Sequence, residues 1–342
     1  MLYIRADANP DIATGHIMRC ISIANEFRKH GEDTTFIIAD EYPCEILEHE
    51  KYNYICLNTE WNDLDIETEL MVKFIKENNI SKLLIDTYYV TEYYLNQLSL
   101  YTKIIYIDDL ASFIYPVCML VNYNNYYDTK HYLDDYWGKQ TKLLLGCKYA
   151  PLRDEFFGVS HEFRDTVKKV LVTTGGTDNF NIAGKLLEFL CNSCQDMNKL
   201  EYHVIVGKFN FNIKHLEQLT ERHKNIIIHY EVKKMSEIML QCDIAVTAGG
   251  STMYELCACA IPMITYSFAD NQIDGAIGFE RLGVAKYCGD VRNQEQRLLE
   301  NIYDTIVEYR NNNLYRWNIT EKMKLLVDGK GSSRLYYEMN SL

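Results

Sequence analysis

The chain has 342 residues, 47% of them hydrophobic and 24% charged, the balance of a folded globular protein rather than a disordered or collagen-like one. Asp and Glu number 48 against 35 Lys and Arg, a net charge of −13, so most of the surface would repel a polyphosphate backbone. A general nucleic-acid partner is therefore excluded. A single nucleotide can still bind, because helix N-termini supply local positive potential whatever the net charge. The 11 cysteines are odd in number and lie in hydrophobic runs such as ELCACAIP, so they read as reduced core thiols. The pairs Cys191-x-x-Cys194 and Cys257-x-Cys259 lack a second ligand pair at zinc spacing, and no metal is expected there. The opening MLYIRADANPDIATGH has no basic stretch followed by an apolar one, and nowhere do about 18 apolar residues run together. The expectation is a cytoplasmic chain with no membrane insertion.

Short apolar runs alternate with amphipathic stretches, the habit of α/β proteins with parallel sheets. In the first half LYIRA, TTFIIA, YNYICL, SKLLID, KIIYID and CMLVN read as strands. Between the first two, Ile17, Cys20, Ile21, Ala24 and Phe27 recur at helical spacing, and Gly31 offers a stop. The polar, aromatic stretch from Tyr127 to Asp165 is weakly periodic and is expected to join two halves, with the linker near 148–165. Strands resume with KKVLVTT, EYHVIVG, NIIIHYE, CDIAVTAG and IPMITYS. The tail holds two helical segments broken at Asp328-Gly329. The pattern predicts two Rossmann-like domains, residues 1–150 and 165–327, with 328–342 able to cross back onto the first. Open α/β sheets bind ligands beyond the carboxyl ends of their strands, so the candidate site is expected in a cleft that the two domains face.

Unusual residues that follow strands are the candidates. In RADANPDIATGHIMRC, Gly15 permits close backbone approach and His16 opens a helix, whose positive end favours the neutral imidazole that a general base needs. Arg5, Asp7 and Arg19 lie nearby and read more ordinarily as salt-bridge partners. In KVLVTTGGTDNFN, Gly175 and Gly176 would let amides meet an anion at a helix start, although the spacing is not the dinucleotide fingerprint. In DIAVTAGGSTMYELC, Gly249 and Gly250 precede Ser251 and Thr252, which offer hydroxyls, and Glu255 could accept both hydroxyls of a ribose. A capping box is the plain alternative for that segment. Asn271 and Gln272 carry paired donors and acceptors that suit a sugar. Asp86 and Tyr88, and Asp108-Asp109, end strands; such carboxylates could orient a histidine or a water, or simply cap a helix.

Taken together these segments resemble the UDP-2,4-diacetamido-2,4,6-trideoxy-β-L-altropyranose hydrolases of pseudaminic acid synthesis, the PseG family. RADANPDIATGHIMRCISIANEF resembles its opening, IDTYYVTEYYL its Asp-Ser-Tyr segment and IYIDDLA its double-aspartate strand end. LLLGCKYAPLRDEF is similar to its domain junction, and VDGKGSSRL to the start of its C-terminal helix. Ala13 stands where the opening often has glycine, and Thr87 where serine is usual. The resemblance implies the two-domain glycosyltransferase-B architecture and hydrolysis of a UDP-sugar with inversion, water being the acceptor. It implies His16 as general base beside Gly15. Gly249, Gly250, Ser251, Thr252 and Glu255 would contact UDP, with Gly175 and Gly176 in support. Tyr88, Arg153, Asn271 and Gln272 would face the sugar or diphosphate, and the turn HYEVKKM would meet uracil. No cofactor or metal and no macromolecular partner is implied, and a monomer is expected. An inverting UDP-sugar glycosyltransferase on the same fold is the alternative, since one base serves either acceptor.

Overall fold

A computed structural model describes residues 1–126, 128–193, 196–207 and 210–342. It divides into two compact units, Met1–Asp154 with Lys330–Leu342, and Glu155–Gly329. Cys194, named in the cysteine pair above, lies outside the described residues. Cys191, Cys257 and Cys259 are buried.

The first unit is built on seven strands, β1 (Leu2–Ala6), β2 (Thr34–Ile38), β3 (Asn53–Cys56), β4 (Lys82–Asp86), β5 (Lys103–Ile107), β6 (Met119–Asn122) and β7 (Lys142–Leu145). They pair in the order β3-β2-β1-β4-β5-β6-β7, every pair parallel. The order reverses between β1 and β4, and that switch point opens a crevice beyond the strand ends. Leu2, Ile4 and Ala6 of β1 are fully buried on one face, packed with Ile17, Cys20, Ala24 and Phe27 of helix α1 (Gly15–Lys29). Ile37, Leu83, Ile85 and Tyr106 belong to a second core on the other face. Both faces of the sheet are covered, which is why its strands read as near-continuous hydrophobic runs.

The second unit repeats the plan with β8 (Lys169–Thr173), β9 (Glu201–Val206), β10 (Ile226–Tyr230), β11 (Ile244–Ala248), β12 (Met263–Ser267) and β13 (Ala285–Asp290). Its order is β10-β9-β8-β11-β12-β13, again parallel, with the switch point between β8 and β11. Both units are therefore Rossmann-like. Strands β7 and β13 escape the sequence reading, and both lie at sheet edges. β7 is only four residues, KLLL, of which Leu144 alone is fully buried, and AKYCGD is half-buried with a glycine near its end. The stretch read as a joining segment consequently belongs in large part to the first unit, where it forms the helix Thr129–Asp135 and then β7. Among the described residues no helix is long and apolar enough to cross a membrane.

The tail forms the helices Asn313–Leu326 in the second unit and Gly331–Asn340 in the first. Leu335, Tyr336 and Met339 of the last helix complete the α1 core. His30 stacks on Tyr336 at a centroid distance of 4.0 Å, and Ser333 donates to Glu26 at 2.6 Å. The close seat depends on Gly331, where a Cβ would stand 1.9 Å from the carbonyl oxygen of Ala150. No rotamer relieves a clash with backbone. Gly331→Ala should destabilise the protein by at least about 2 kcal/mol. Urea unfolding checks this, and a midpoint equal to wild type would contradict the packing.

Candidate active site

The loop between β1 and α1 is locally pinned. The Asn9 side-chain oxygen accepts from the amides of Asp11 and Ile12, and Asn9 bridges Ala13. Ala13 has φ +54°, a left-handed conformation that glycine adopts at no steric cost. That explains why glycine would be at ease in this position. Gly15 then begins α1 with open space where a Cβ would stand, so packing does not require glycine there. His16 follows as the second residue of the helix and is buried.

Strand β4 ends at Asp86, directly across the switch point. His16 Nδ1 lies 2.7 Å from Asp86 Oδ1. Arg19 Nη2 also stands 3.1 Å from Nδ1, but the shorter contact is to the carboxylate, where an unprotonated Nδ1 would set two lone pairs face to face, so Nδ1 carries the hydrogen and donates to Asp86. The lone pair is then on Nε2, which has no hydrogen-bond partner among the described residues. One turn along α1, Arg19 donates from Nε to Asp86 Oδ2 at 2.6 Å and from Nη2 to Asp86 Oδ1. The same guanidinium donates to Asp109 Oδ2 at 2.6 Å and to the Tyr123 hydroxyl at 2.8 Å. Asn124 also donates to Asp109, at 2.8 Å. One atom each of His16, Asp86 and Asp109 lie within 4.8 Å of one another, a spacing that could hold a metal ion, and Arg19 pairs with both carboxylates.

Burial alone would push the fully buried Asp86 carboxyl up. The Arg19 charge, then His16, outweigh it and hold the group well below the usual carboxylate range. Burial, with the Asp109 charge next, pushes the Tyr88 phenol up to about 12. Tyr88 is partly exposed and packs edge-on against His16, with ring centroids 4.5 Å apart. The wall of the site is therefore aromatic, and its floor is a carboxylate held ionised by a guanidinium.

The other charged residues of these segments sort differently. Arg5 and Asp7 pair with each other, and Arg5 Nε donates to Glu67 at 2.9 Å in a cluster that Tyr94 and Thr59 complete. Asp108 accepts from the amides of Leu110 and Ala111 and from the hydroxyls of Tyr115 and Tyr132, which makes it a turn holder. Arg19 and Asp109 are the residues that sequence reasoning undervalued. A signal existed: Asp86, Asp109 and Tyr123 all stand at the ends of the neighbouring strands β4, β5 and β6.

In the second unit the glycine turns divide between fold and open surface. Gly175 has φ +82°, and a Cβ on Gly207 would meet the Gly176 carbonyl oxygen at 2.4 Å. The first glycine pair lies beside that close approach, which requires glycine at Gly207, while a Cβ on Gly175 or Gly176 would itself meet open space. It also sits well before its helix, Ile182–Ser193, whose first amides are taken by Asp178: Ile182 donates at 2.7 Å and Ala183 at 3.1 Å. The expectation of an anion held at that helix start is corrected, because a carboxylate of the chain already occupies it. Gly249 packs on Gln272, whose carbonyl oxygen a Cβ would meet at 2.9 Å, whereas Gly250 faces open space. Ser251 caps the helix Thr252–Ala258 without a side-chain hydrogen bond, so the capping box does not form. Glu255 is four positions past that cap, one too far for the box. Asn271 and Gln272 lie in the first turn of the helix Asp270–Arg281, not in a loop, and Gln272 Oε1 accepts from the Phe268 amide at 3.0 Å. Gly249 and Gln272 are therefore brought together. Arg153 is half-buried in the segment that ends the first unit. The turn after β10 lines an open pocket with His229, Tyr230, Lys233 and Lys234.

Two Rossmann-like units of this kind are the fold of the glycosyltransferase-B proteins. The chain superposes on the crystal structure of Acinetobacter baumannii MurG with a TM-score of 0.72, covering 100% of this chain and 99% of that one at 10% identity. Residues 170–326 match the glycosyltransferase family 28 C-terminal domain. Among curated proteins, the chain is 26% identical over 276 residues to an uncharacterised protein of Methanocaldococcus jannaschii, with 76% of this chain aligned. It spans about half, 54%, of that relative's length. It is 23% identical over 264 residues to the UDP-2,4-diacetamido-2,4,6-trideoxy-β-L-altropyranose hydrolase of Campylobacter jejuni, covering 73% of this chain and 85% of that one.

Asp86 also predicts how stability depends on pH. Its folded value is depressed, so its contribution is fully present above the unfolded value of about 3.9 and is lost as pH falls below it. Asp86→Asn should cost about 3 kcal/mol at neutral pH, the typical cost of breaking a buried pair. Denaturant unfolding of both proteins at falling pH should show the gap closing below about pH 4. A gap that stays constant would contradict the ionised state.

Proposed function

We propose that the chain is an inverting nucleotide-sugar hydrolase that uses water to release UDP from UDP-2,4-diacetamido-2,4,6-trideoxy-β-L-altropyranose. The observation that carries this reading is the His16–Asp86 pair, 2.7 Å apart, with Nε2 left unpartnered among the described residues. The similarity to the Campylobacter hydrolase over most of both chains supports the substrate class.

The chemistry follows from the pair. Nε2 takes a proton from water while the water oxygen bonds the anomeric carbon. The bond from that carbon to the diphosphate oxygen breaks, and its electron pair leaves on UDP. A single displacement of this kind inverts the anomeric configuration. Asp86 holds the Nδ1–H tautomer and faces the imidazolium as it forms, the role a carboxylate plays beside any histidine base. In the second unit, Gly250, Ser251 and Thr252 would present amides and hydroxyls to the diphosphate, and Glu255 would accept from the ribose. Gly175, Gly176 and Gly249 shape the turns around them. Tyr88, Arg153, Asn271 and Gln272 are assigned to the sugar or the diphosphate. Fixed donors aimed at a leaving diphosphate stabilise the charge that develops on it.

A second reading, an inverting UDP-sugar glycosyltransferase, is favoured by the match of residues 170–326 to the family 28 domain. There a sugar or lipid hydroxyl replaces water and His16 keeps its role. NMR of the protein with the diacetamido UDP-sugar in H₂¹⁸O separates the two. The hydrolase releases free sugar carrying ¹⁸O at the inverted anomeric carbon, and a transferase leaves the UDP-sugar intact until an acceptor is added.

His16→Asn should lower kcat about 10²-fold or more and leave UDP affinity nearly unchanged. A wild-type kcat in that variant would end the general-base proposal. Glu255→Ala should weaken UDP binding by about 1.5–3 kcal/mol, the range for a lost hydrogen bond to a charged group. Calorimetry reads this directly, and unchanged affinity in a folded variant would remove Glu255 from the ribose site.

A further inference from the structure

The charges around His16 do not balance in the resting site. Two carboxylates, Asp86 and Asp109, share the single guanidinium of Arg19. Asp108, beside Asp109 in the chain, is engaged by the Leu110 and Ala111 amides and the Tyr115 and Tyr132 hydroxyls, and the other titratable groups that touch the cluster are neutral. Burial pushes up the phenols of Tyr88 and Tyr123 and the thiol of Cys20, whose Sγ lies 3.4 Å from Asp86. With neutral imidazole these groups sum to one negative charge, and with imidazolium they sum to zero. The surplus sits in a place that water barely reaches, since Asp86 is fully buried and the Arg19 and Asp109 side chains are 12% and 11% exposed. An uncompensated charge there is costly unless a use offsets it.

Two features make a second carboxylate necessary. Asp86 spends both oxygens on Arg19, so its charge is already largely neutralised when His16 becomes a cation. His16 also stands in the first turn of α1, where the positive end of the helix opposes an imidazolium. We propose that Asp109 is a charge-balancing, positioning residue: by drawing on Arg19 it returns the Asp86 charge to His16, so that the site is neutral once the proton has arrived on the ring. The geometry agrees. Arg19 reaches Asp109 with both terminal nitrogens, at 3.2 and 2.6 Å, while its Nε stays on Asp86. Asn124, from the strand end beyond, holds the Asp109 carboxylate in place. Asp109 need not touch water or sugar for this role.

This inference rests on His16 being the base, and its test separates the two failures. The His16 ring signals can be followed by NMR across pH in labelled protein, with His16→Asn identifying them. No substrate is needed for that measurement. Asp109→Asn removes an anion and should move the His16 titration midpoint to lower pH than wild type. Arg19→Gln removes a cation and should move it higher, and Asp109→Glu should restore the wild-type position. A merely structural Asp109 would not produce shifts of opposite sign in the two variants. In turnover, Asp109→Asn should lower kcat about tenfold, with UDP affinity kept. If Arg19→Gln does not fold, Asp109→Asn and Asp109→Glu decide alone. A midpoint that is unchanged or raised in folded Asp109→Asn overturns the charge balance and leaves the base untouched. Wild-type turnover in His16→Asn overturns the base, and the charge balance falls with it.

Discussion

A carboxylate with no access to water stands at the point where the first sheet reverses its strand order, and the site of the first unit depends on keeping it charged. Asp86 can be ionised there only because Arg19 lies against both of its oxygens. Arg19 can lie there only if α1 starts at Gly15 and turns this face toward β4. That register puts His16 one turn earlier, in line with the same carboxylate. The orientation of the histidine is thus a consequence of an electrostatic requirement one turn away. Buried ion pairs contribute little net stability, since desolvation consumes most of the Coulomb gain, and the value of this one is geometric.

The cluster around Arg5 gives a useful contrast. It uses the same residue types, an arginine between two carboxylates with a phenol beside them, and it also grows from β1. Glu67 accepts from Arg5, Tyr94 and Thr59, and Asp7 accepts from the Ala39 amide, so every carboxylate oxygen is engaged. A closed network of this sort holds elements together. The His16 cluster differs in one atom, an imidazole nitrogen with a lone pair and no partner. That atom separates a brace from a candidate base.

In the second unit, the glycine turns divide between positions that packing constrains and positions that it leaves open. Gly207 and Gly249 lie where a second backbone or a helix approaches too closely for a side chain. Gly250 and Ser251 are not constrained in that way. A Cβ on Gly250 would meet open space, and Ser251 makes no side-chain cap bond.

Eleven strands, the repeated α/β plan and the helix that carries His16 were legible in the sequence because each rests on local patterning. An apolar run bounded by polar turns reads as a buried parallel strand wherever it occurs. β7 and β13 were not legible: β7 is a short KLLL inside a polar, aromatic stretch, and β13 mixes polar residues and a glycine into its run. Charge partners were beyond reach for a different reason. Asp86 lies 67 residues from Arg19, and Asp109 lies 90 residues from it. Spacing along the chain says nothing about which strand ends become neighbours. Only the order β1-β4-β5-β6 in the folded sheet brings one guanidinium, two carboxylates and an imidazole together. Composition and periodicity determined that there would be Rossmann-like units with polar residues at their strand ends. Tertiary structure decided which of those residues share a charge, because electrostatic coupling depends on distance through a dry interior and not on separation in sequence.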